Sequence, residues 1–341
     1  MVTIKDVAKL AGVAISTASN ALNNKYGVNP KTRKKVLEAA SQLNFVPNPI
    51  AKGLVTSSTR NISMILSGPS SFNVFTNPVF VEVVRTITAT LNEKGYHALL
   101  NIVSSNEEFD MIPKIVQSRA SDALILIGSR QEDEELSKLL KRMNTPSLVV
   151  IRGITSADVF AVSVDNRQCG YLATKYLIEM GHYNIGFIGS LPKVSMAEDR
   201  LNGYFQALKE AGIDRDNSLV IHGDYYQESG FTGVKQLLSR ASHRPTAIFT
   251  ANDLMALGAM EALQYEGLRV PEDISLIGCD NIPNLHLLRI PLTTIANPVA
   301  EIGKLAALKI IGELEGGDEL PDKIVLQPEL RVRGSVRSIR R

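Results

Sequence analysis

The sequence predicts an α-helical N-terminal module joined to an α/β body built on two doubly wound parallel sheets. Three observations carry this. Helix start and stop signals crowd the first 46 residues. From Asn61 onward, two successive series of short apolar runs alternate with amphipathic stretches. Charge is also segregated: residues 1–60 hold nine Lys and Arg against two acids, a balance of +7, while the rest of the chain sums to −5. A near-neutral protein with one strongly basic end is built to place that end on a polyanion.

The elements follow in order. Thr3, with Asp6 three residues later, is a capping-box-like helix start, and Asp6 sits in the positive first turn. This helix stops at Gly12, a residue type that permits a tight reversal. A second helix spans Ile15 to Leu22, and a third runs from Asn29-Pro30 (N-cap, then Pro at the first helical position) to Leu43. Two short helices across a glycine turn, backed by a longer third, make a helix-turn-helix module over residues 1–46. Residues 47–60 form a linker. Asn48-Pro49 can open a helix there, but Ile50 to Val55 is too short to be stable alone, and Gly53 and Val55 weaken it further.

In the body, Ile62–Leu66, Ala98–Val103, Ala123–Ile127 and Leu148–Ile151 read as buried strands. Helices at Val79–Lys94, Glu107–Ser118 and Glu132–Met143 separate them. A second series places strands at Val162–Val164, Ile185–Ile188, Leu219–His222, Ala247–Thr250 and Ile274–Gly278. Its helices lie near Gly170–Met180, Arg200–Ala211, Ser229–Leu238 and Asp253–Glu266. A further strand, Thr293–Ile295, and helix, Val299–Gly312, follow. The basic tail 336–341 has no apolar face and is expected to fray.

Composition narrows the function. A chain of 341 residues with 44% hydrophobic residues has room for two or three domains. Cys169 and Cys279 stand 110 positions apart with no partner spacing, which suits a reducing cytosol and small buried roles. No apolar run approaches the roughly 18 residues of a membrane span. Lys5, Asp6 and Lys9 occupy the place where a secretory signal needs its apolar core, so the cytoplasm is the expected location. The five histidines are scattered without metal spacing, no Walker lysine loop is present, and nothing pairs a nucleophile with a base. No catalytic residue, cofactor or metal is therefore expected, and an α/β enzyme is a weak alternative. A secreted solute-binding protein would lack the basic N-terminal module.

Specific motifs go further. Thr3-Ile-x-Asp-Val-Ala-x-x-Ala-Gly-Val13, Ser16-Thr17-x-Ser19, Leu22-Asn23, Thr32-Arg33-x-x-Val36 and Pro47-Asn48-x-x-Ala51-x-x-Leu54 resemble the DNA-binding headpiece of the lactose/galactose repressor family. The resemblance extends to about Gly334. It implies a two-lobe, periplasmic-binding-protein-like core, with an N-terminal lobe of residues 61–161 plus 291–322 and a C-terminal lobe of 162–290 plus 323–335. It also implies a cytoplasmic transcription regulator, most readily a repressor, acting as a homodimer on double-stranded operator DNA. By family position Ile15, Ser16 and Asn20 read bases, Thr17 and Ser19 lie nearer the phosphates, and Asn23, Thr32 and Asn48 join the DNA-binding set. The linker becomes a hinge helix that orders when two copies pair over the minor groove, with Leu54 wedged between base pairs and Ala51 small enough for close approach. Two residues depart from many relatives: Ala14 stands where Ser often caps the second helix, and Asn20 where Arg is frequent. Arg favours guanine and Asn suits adenine, so the operator is expected to differ at that base step.

Parallel sheets bind ligands beyond the carboxyl ends of their strands. In the second series those ends carry Asp165, Arg200, Tyr225, Asn252 and Asp280, with Asp253 beside Asn252. Carboxylates, amides, an arginine and an aromatic ring suit a sugar's adjacent hydroxyls and its C–H face. In the family, Arg200, Asn252 and Asp280 match effector-binding positions, and Asp165 and Tyr225 match neighbouring ones. Structural alternatives stand beside each: Asp165, Asn252 and Asp253 as helix caps, Tyr225 as a core residue, Arg200 as the partner of an acid. The Gly68–Thr76 loop, with Phe72 and Phe75, looks longer than the family's, so the cleft has its own lid and the effector is not inherited from any relative. A carbohydrate effector is the first expectation; a purine or a protein co-effector is the alternative.

Overall fold

The computed structural model describes residues 2–24, 26–46, 58–68, 74–104, 107–128, 134–151, 159–190, 195–241, 243–317 and 320–340. The chain divides into two compact units, Met1–Arg60 and Asn61–Arg341.

The first unit holds α1 (Ile4–Ala11), α2 (Ile15–Leu22) and α3 (Pro30–Gln42). The Asp6 carboxylate accepts from Thr3 N (2.9 Å) and from the Thr3 hydroxyl (2.8 Å), and these bonds hold its carboxyl below the usual range. Gly12 ends α1 at φ +67°, a conformation that costs glycine little. Asn29 caps α3 by accepting from Lys31 N (2.9 Å). The three helices bury Val7, Ala8, Ala18, Ala21, Val36, Ala39 and Ala40. Small alanines let the axes approach closely while the charged residues stay outside. The hinge-helix residues Asn48, Ala51 and Leu54 lie outside the described residues.

Among the described residues, the second unit has two six-stranded sheets. Its strands are β1 (Asn61–Gly68), β2 (His97–Ser104), β3 (Ala123–Ile127), β4 (Ser147–Val150), β5 (Phe160–Val164), β6 (Ile185–Ser190), β7 (Val220–Gly223), β8 (Ala247–Thr250), β9 (Ser275–Asp280), β10 (Thr293–Ala296), β11 (Lys323–Leu326) and β12 (Glu329–Arg331). The helices are α4 (Pro78–Glu93), α5 (Glu108–Gln117), α6 (Glu134–Met143), α7 (Asn166–Glu179), α8 (Ser195–Glu210), α9 (Gln227–Arg240), α10 (Asp253–Tyr265) and α11 (Val299–Glu315). The sheet orders are β11-β5-β4-β3-β1-β2 and β12-β10-β9-β8-β6-β7. All pairings are parallel except that of β10 with β12.

Strand β3 shows why these runs do not alternate in sequence. All five of its residues are buried. Ala123, Ile125 and Ile127 pack on one face of the first sheet, with Ile87 and Ile310, whereas Leu124 and Leu126 pack on the other with Ile112 and Leu136. Both faces are covered, as helical crossovers require.

Three assignments from sequence need correction. Strand β5, given to the second lobe as Val162–Val164, pairs with β4 in the first sheet. Strand β10, given to the first lobe within 291–322, pairs with β9 in the second. Strand β11, given to the second lobe within 323–335, pairs with β5 in the first. The chain therefore passes between lobes just after Val164, Ala296 and Leu326. Apolar composition marks each run as a strand but does not say which sheet supplies its hydrogen bonds. The tail is not frayed as far as Arg340. Leu276 N donates to Ser335 O (2.8 Å), Arg337 N to Ser275 Oγ (3.1 Å) and Ile339 N to Met180 O (2.8 Å). His182, buried, contacts Arg337 O through Nε2 (3.1 Å) and Thr246 Oγ1 through Nδ1 (3.0 Å). Backbone pairing, which needs no apolar face, anchors this segment.

Candidate functional site

In the N-terminal unit, α2 buries only Ala18 and Ala21. Ile15 and Ser16, at its start, are exposed, and Thr17, Ser19 and Asn20 are half-buried beside them. Ala14 has the extended backbone of an N-cap (φ −65°, ψ 152°) and contributes no side-chain hydrogen bond. The first N–H groups of α2 thus carry their positive end outward without a side-chain acceptor from the cap. Asn23 is engaged within the helix, its Nδ2 donating to Ser19 O (2.9 Å). Thr32 lies in the first turn of α3, half-buried. Ile15, Ser16, Thr17, Ser19 and Asn20 therefore share one short helix.

In the second unit, the strand-end residues converge on Arg200. It sits in the second turn of α8 because α7 and α8 pack with almost no gap. A Cβ at Gly170 would overlap Arg200 O, and one at Gly203 would overlap Arg167 O. The Arg200 guanidinium is buried, at 4% exposure. Its Nε donates to Asn166 Oδ1 (2.9 Å), Nη1 to Ala251 O, and Nη2 to Asp280 Oδ1 (3.3 Å). Asp280, 9% exposed, also accepts from Asn297 Nδ2 (2.8 Å). Burial opposes the Arg200 charge, but its acidic neighbours, Asp280 in contact with it, more than offset that and raise the pKa. Burial pushes the Cys279 thiol well up, so it is neutral, and the anionic partner is Asp280. Burial also raises the Asp280 carboxyl against the pull of Arg200 and Asn297.

The remaining residues are held by the fold itself. Asp165 caps α7, accepting from Gln168 N (2.8 Å). Asn252 caps α10 through Met255 N (2.9 Å) and donates from Nδ2 to Tyr225 O (2.9 Å). That bond fixes Tyr225 at φ +71°, and the half-buried ring packs against the second-lobe core. Asp253 is not a cap. Its carboxylate accepts from the Thr294 hydroxyl (2.6 Å) and from Ile282 N (2.9 Å), tying α10 to the segment after β9. Asp280, the last residue of β9, and Asn281 and Asn284 beyond it take positive φ values of 119°, 59° and 70°, strain of the kind that collects at ligand sites.

A cavity of about 930 Å³ opens between the lobes. Phe75, Pro78 and Val79 line it from the first lobe, Asp280 to Asn284 from the second, and Asn297 and Pro298 from the crossing between them. Of the five predicted effector residues, Asp280 lines this cavity and Arg200 lies directly behind it. The segments that follow β1, β2, β3 and β4 (69–73, 105–106, 129–133 and 152–158) lie outside the described residues, as does 191–194 after β6. Phe72 of the expected lid falls among them, while Phe75 is exposed on the cavity wall. Sequence reasoning missed Asn166 and Asn297. Both follow a strand and precede or open a helix, so the rule that found Asp165 and Asn252 would have found them too.

A basic three-helix reader followed by a two-lobed body with a charged, strained cleft at its strand ends defines a class: DNA-binding proteins that carry a small-molecule binding core. Comparison with known proteins makes it specific. Residues 3–48 match the bacterial regulatory proteins of the lacI family, and residues 174–336 match the periplasmic binding protein-like domain. The HTH-type transcriptional repressor PurR of Klebsiella pneumoniae is 34% identical over 338 residues, covering 98% of this chain and 97% of that protein. Among solved structures, a transcriptional regulator CelR–cellobiose complex is 30% identical with a TM-score of 0.75, covering 98% of this chain and 100% of that one. The lac repressor dimer bound to operator and the anti-inducer ONPF is 26% identical with a TM-score of 0.85, covering 98% and 99%. The chain belongs to the lacI family of bacterial regulatory proteins. It is a DNA-binding transcriptional regulator.

Proposed function

We propose that this protein is a cytoplasmic repressor without enzymatic turnover that binds a pseudo-palindromic operator as a homodimer and is controlled by a sugar or sugar derivative in the interlobe cleft. The Arg200–Asp280–Asn297 network carries the reading. It joins the second lobe's binding face to the residue at which the chain crosses to the first lobe. A ligand that competes for Asp280 therefore acts on the lobe junction directly. The CelR relative's complex with cellobiose supports a carbohydrate. Exposed Leu99, Leu100 and Ile102 on the edge strand β2 support pairing of two bodies, the arrangement that the lac repressor dimer adopts on operator.

On DNA, α2 enters the major groove with Ile15, Ser16 and Asn20 on base edges and Thr17 and Ser19 on the backbone. Asn23 and Thr32 flank it, and Asn48, Ala51 and Leu54 serve the minor-groove hinge. Asp165, Tyr225 and Asn252 complete the effector site around Arg200 and Asp280. Lobe movement changes the separation of the two linkers, and a coupling of about 1–3 kcal/mol suffices for control. A thermal-shift screen of monosaccharides, disaccharides including cellobiose, sugar phosphates and purines tests the effector class, since a cleft ligand raises the midpoint by mass action. A sugar hit that is lost in Asp280→Asn supports the reading; stabilisation by purines alone overturns it.

A further inference from the structure

The two cysteines of this chain, 110 positions apart in sequence, reach the two ends of one amide side chain, that of Asn297, beneath the cleft. Cys169 lies in the first turn of α7 and Cys279 near the end of β9, and Cys169 stands among the groups that push the buried Cys279 thiol up. Both also touch the crossing residue. Cys169 Sγ lies 3.3 Å from Asn297 Oδ1 and 3.3 Å from Asp165 O, acceptors that share its one S–H, and Asn297 Nδ2 lies 3.8 Å from Cys279 Sγ. The same Nδ2 donates to Asp280. Asn297 and Asp280 form part of the cavity wall, so one layer of side chains separates the dithiol from the cleft.

We propose that Cys169 and Cys279 are an oxidisable dithiol, which hydrogen peroxide entering through the cleft converts to an intramolecular disulfide, releasing the Asn297 side chain. One thiol, as thiolate, attacks a peroxide oxygen. The O–O bond breaks, a sulfenic acid forms, and the displaced hydroxide takes up the proton and leaves as water. The second thiol attacks the sulfenic sulfur, the S–O bond breaks, the S–S bond forms, and a second water leaves. Two thiols lose two electrons and two protons, and one peroxide becomes two waters. Both thiols are fully buried, and buried thiols are slow nucleophiles. Reaction therefore proceeds through open states of the cleft, and its rate levels off as peroxide is raised. The disulfide has no S–H to offer Asn297 Oδ1, so the amide that holds Asp280 loses one of its anchors. Only the effect on regulation rests on the effector reading above; the chemistry does not.

The test uses the full-length reduced chain, treated with graded hydrogen peroxide, quenched with N-ethylmaleimide in guanidinium chloride and weighed intact. A species two hydrogens lighter, carrying no maleimide and yielding a joined Cys169–Cys279 peptide, is expected. It should be absent from Cys169→Ala and Cys279→Ala, and from Cys169→Ser and Cys279→Ser should an alanine variant fail to fold. Maleimide on both cysteines at every dose, sulfinic acids without the joined peptide, or only interchain disulfides would overturn the proposal. Backbone amide exchange at Asp280–Ile282 and Val299–Ile302 should quicken several-fold on oxidation. Unchanged exchange there would overturn the release of Asn297. A failed sugar screen leaves all these readouts in place.

Discussion

The N-terminal unit and the second lobe both place polar side chains near the starts of helices, yet treat them in opposite ways. On α2 the polar residues lie on an exposed or half-exposed face, and the cap position offers no acceptor. In the second lobe, Asp165, Asn252, Arg200 and Asp280 are already satisfied by the protein itself. A surface that meets a polyanion gains from donors left to solvent. A site that must stay folded while empty needs each buried polar group bonded, because an orphaned one is costly. The cleft is therefore a network to be rearranged, and the reader is a face to be covered.

Substitutions can break this contrast, the largest effect first. Arg200→Ala leaves Asp280 buried without its cation and should cost the body about 3–5 kcal/mol, measured by urea unfolding. A loss under about 1 kcal/mol would show that the network is not pre-bonded. This structural cost means that a lost effector response in Arg200→Ala is informative only after stability is matched.

Next comes pH. Burial, followed by repulsion from Asp280, pushes the Asp253 carboxyl up to about 7, against the Thr294 hydroxyl and the Ile282 and Asn281 N–H groups. The folded state then holds the proton more tightly than the unfolded chain does, so stability falls as pH rises through that region. His182 is shifted the other way, chiefly by burial, and opposes the trend at lower pH. The wild-type melting midpoint should drop relative to Asp253→Asn between about pH 6 and pH 8. Parallel midpoints would contradict the assignment.

At the reading end the effects are smaller. Asn20→Arg should move the preferred base at its step from adenine to guanine, a discrimination of about 1–3 kcal/mol, scored by selecting sites from random duplexes. An unchanged preference would leave Asn20 a backbone contact. Smallest is Ala14→Ser. The extended backbone at Ala14 already suits a cap, so serine should stabilise α2 by about 1 kcal/mol, seen as slower amide exchange in its first turn.

Much of this was legible in sequence, and the misses share one cause. The limits of α2 were read to the residue, since Ile15 to Leu22 lies between a glycine turn and polar loop residues. The strand-end rule led to Arg200 and Asp280, which do meet. What sequence did not carry was partnership across distance. Nothing in Val162–Val164 or Lys323–Leu326 names the neighbouring strand, so the three lobe crossings were misplaced. Nothing near Cys169 points to Cys279, and the strand-end rule that reaches Asn297 does not say that β10 runs beside β9 and brings the amide to Asp280. Local signals write the elements; the hydrogen bonds between distant ones write the site.

The most direct test starts from duplexes selected by the full-length protein and a ligand that raises its melting midpoint. Duplex affinity is then titrated with and without that ligand, at fixed salt. A change of about tenfold in either direction, with the same factor recovered when ligand affinity is measured with and without duplex, is the predicted result. Equal duplex affinity in both states, for a ligand whose binding is lost in Asp280→Asn, would contradict the coupling of cleft to reader.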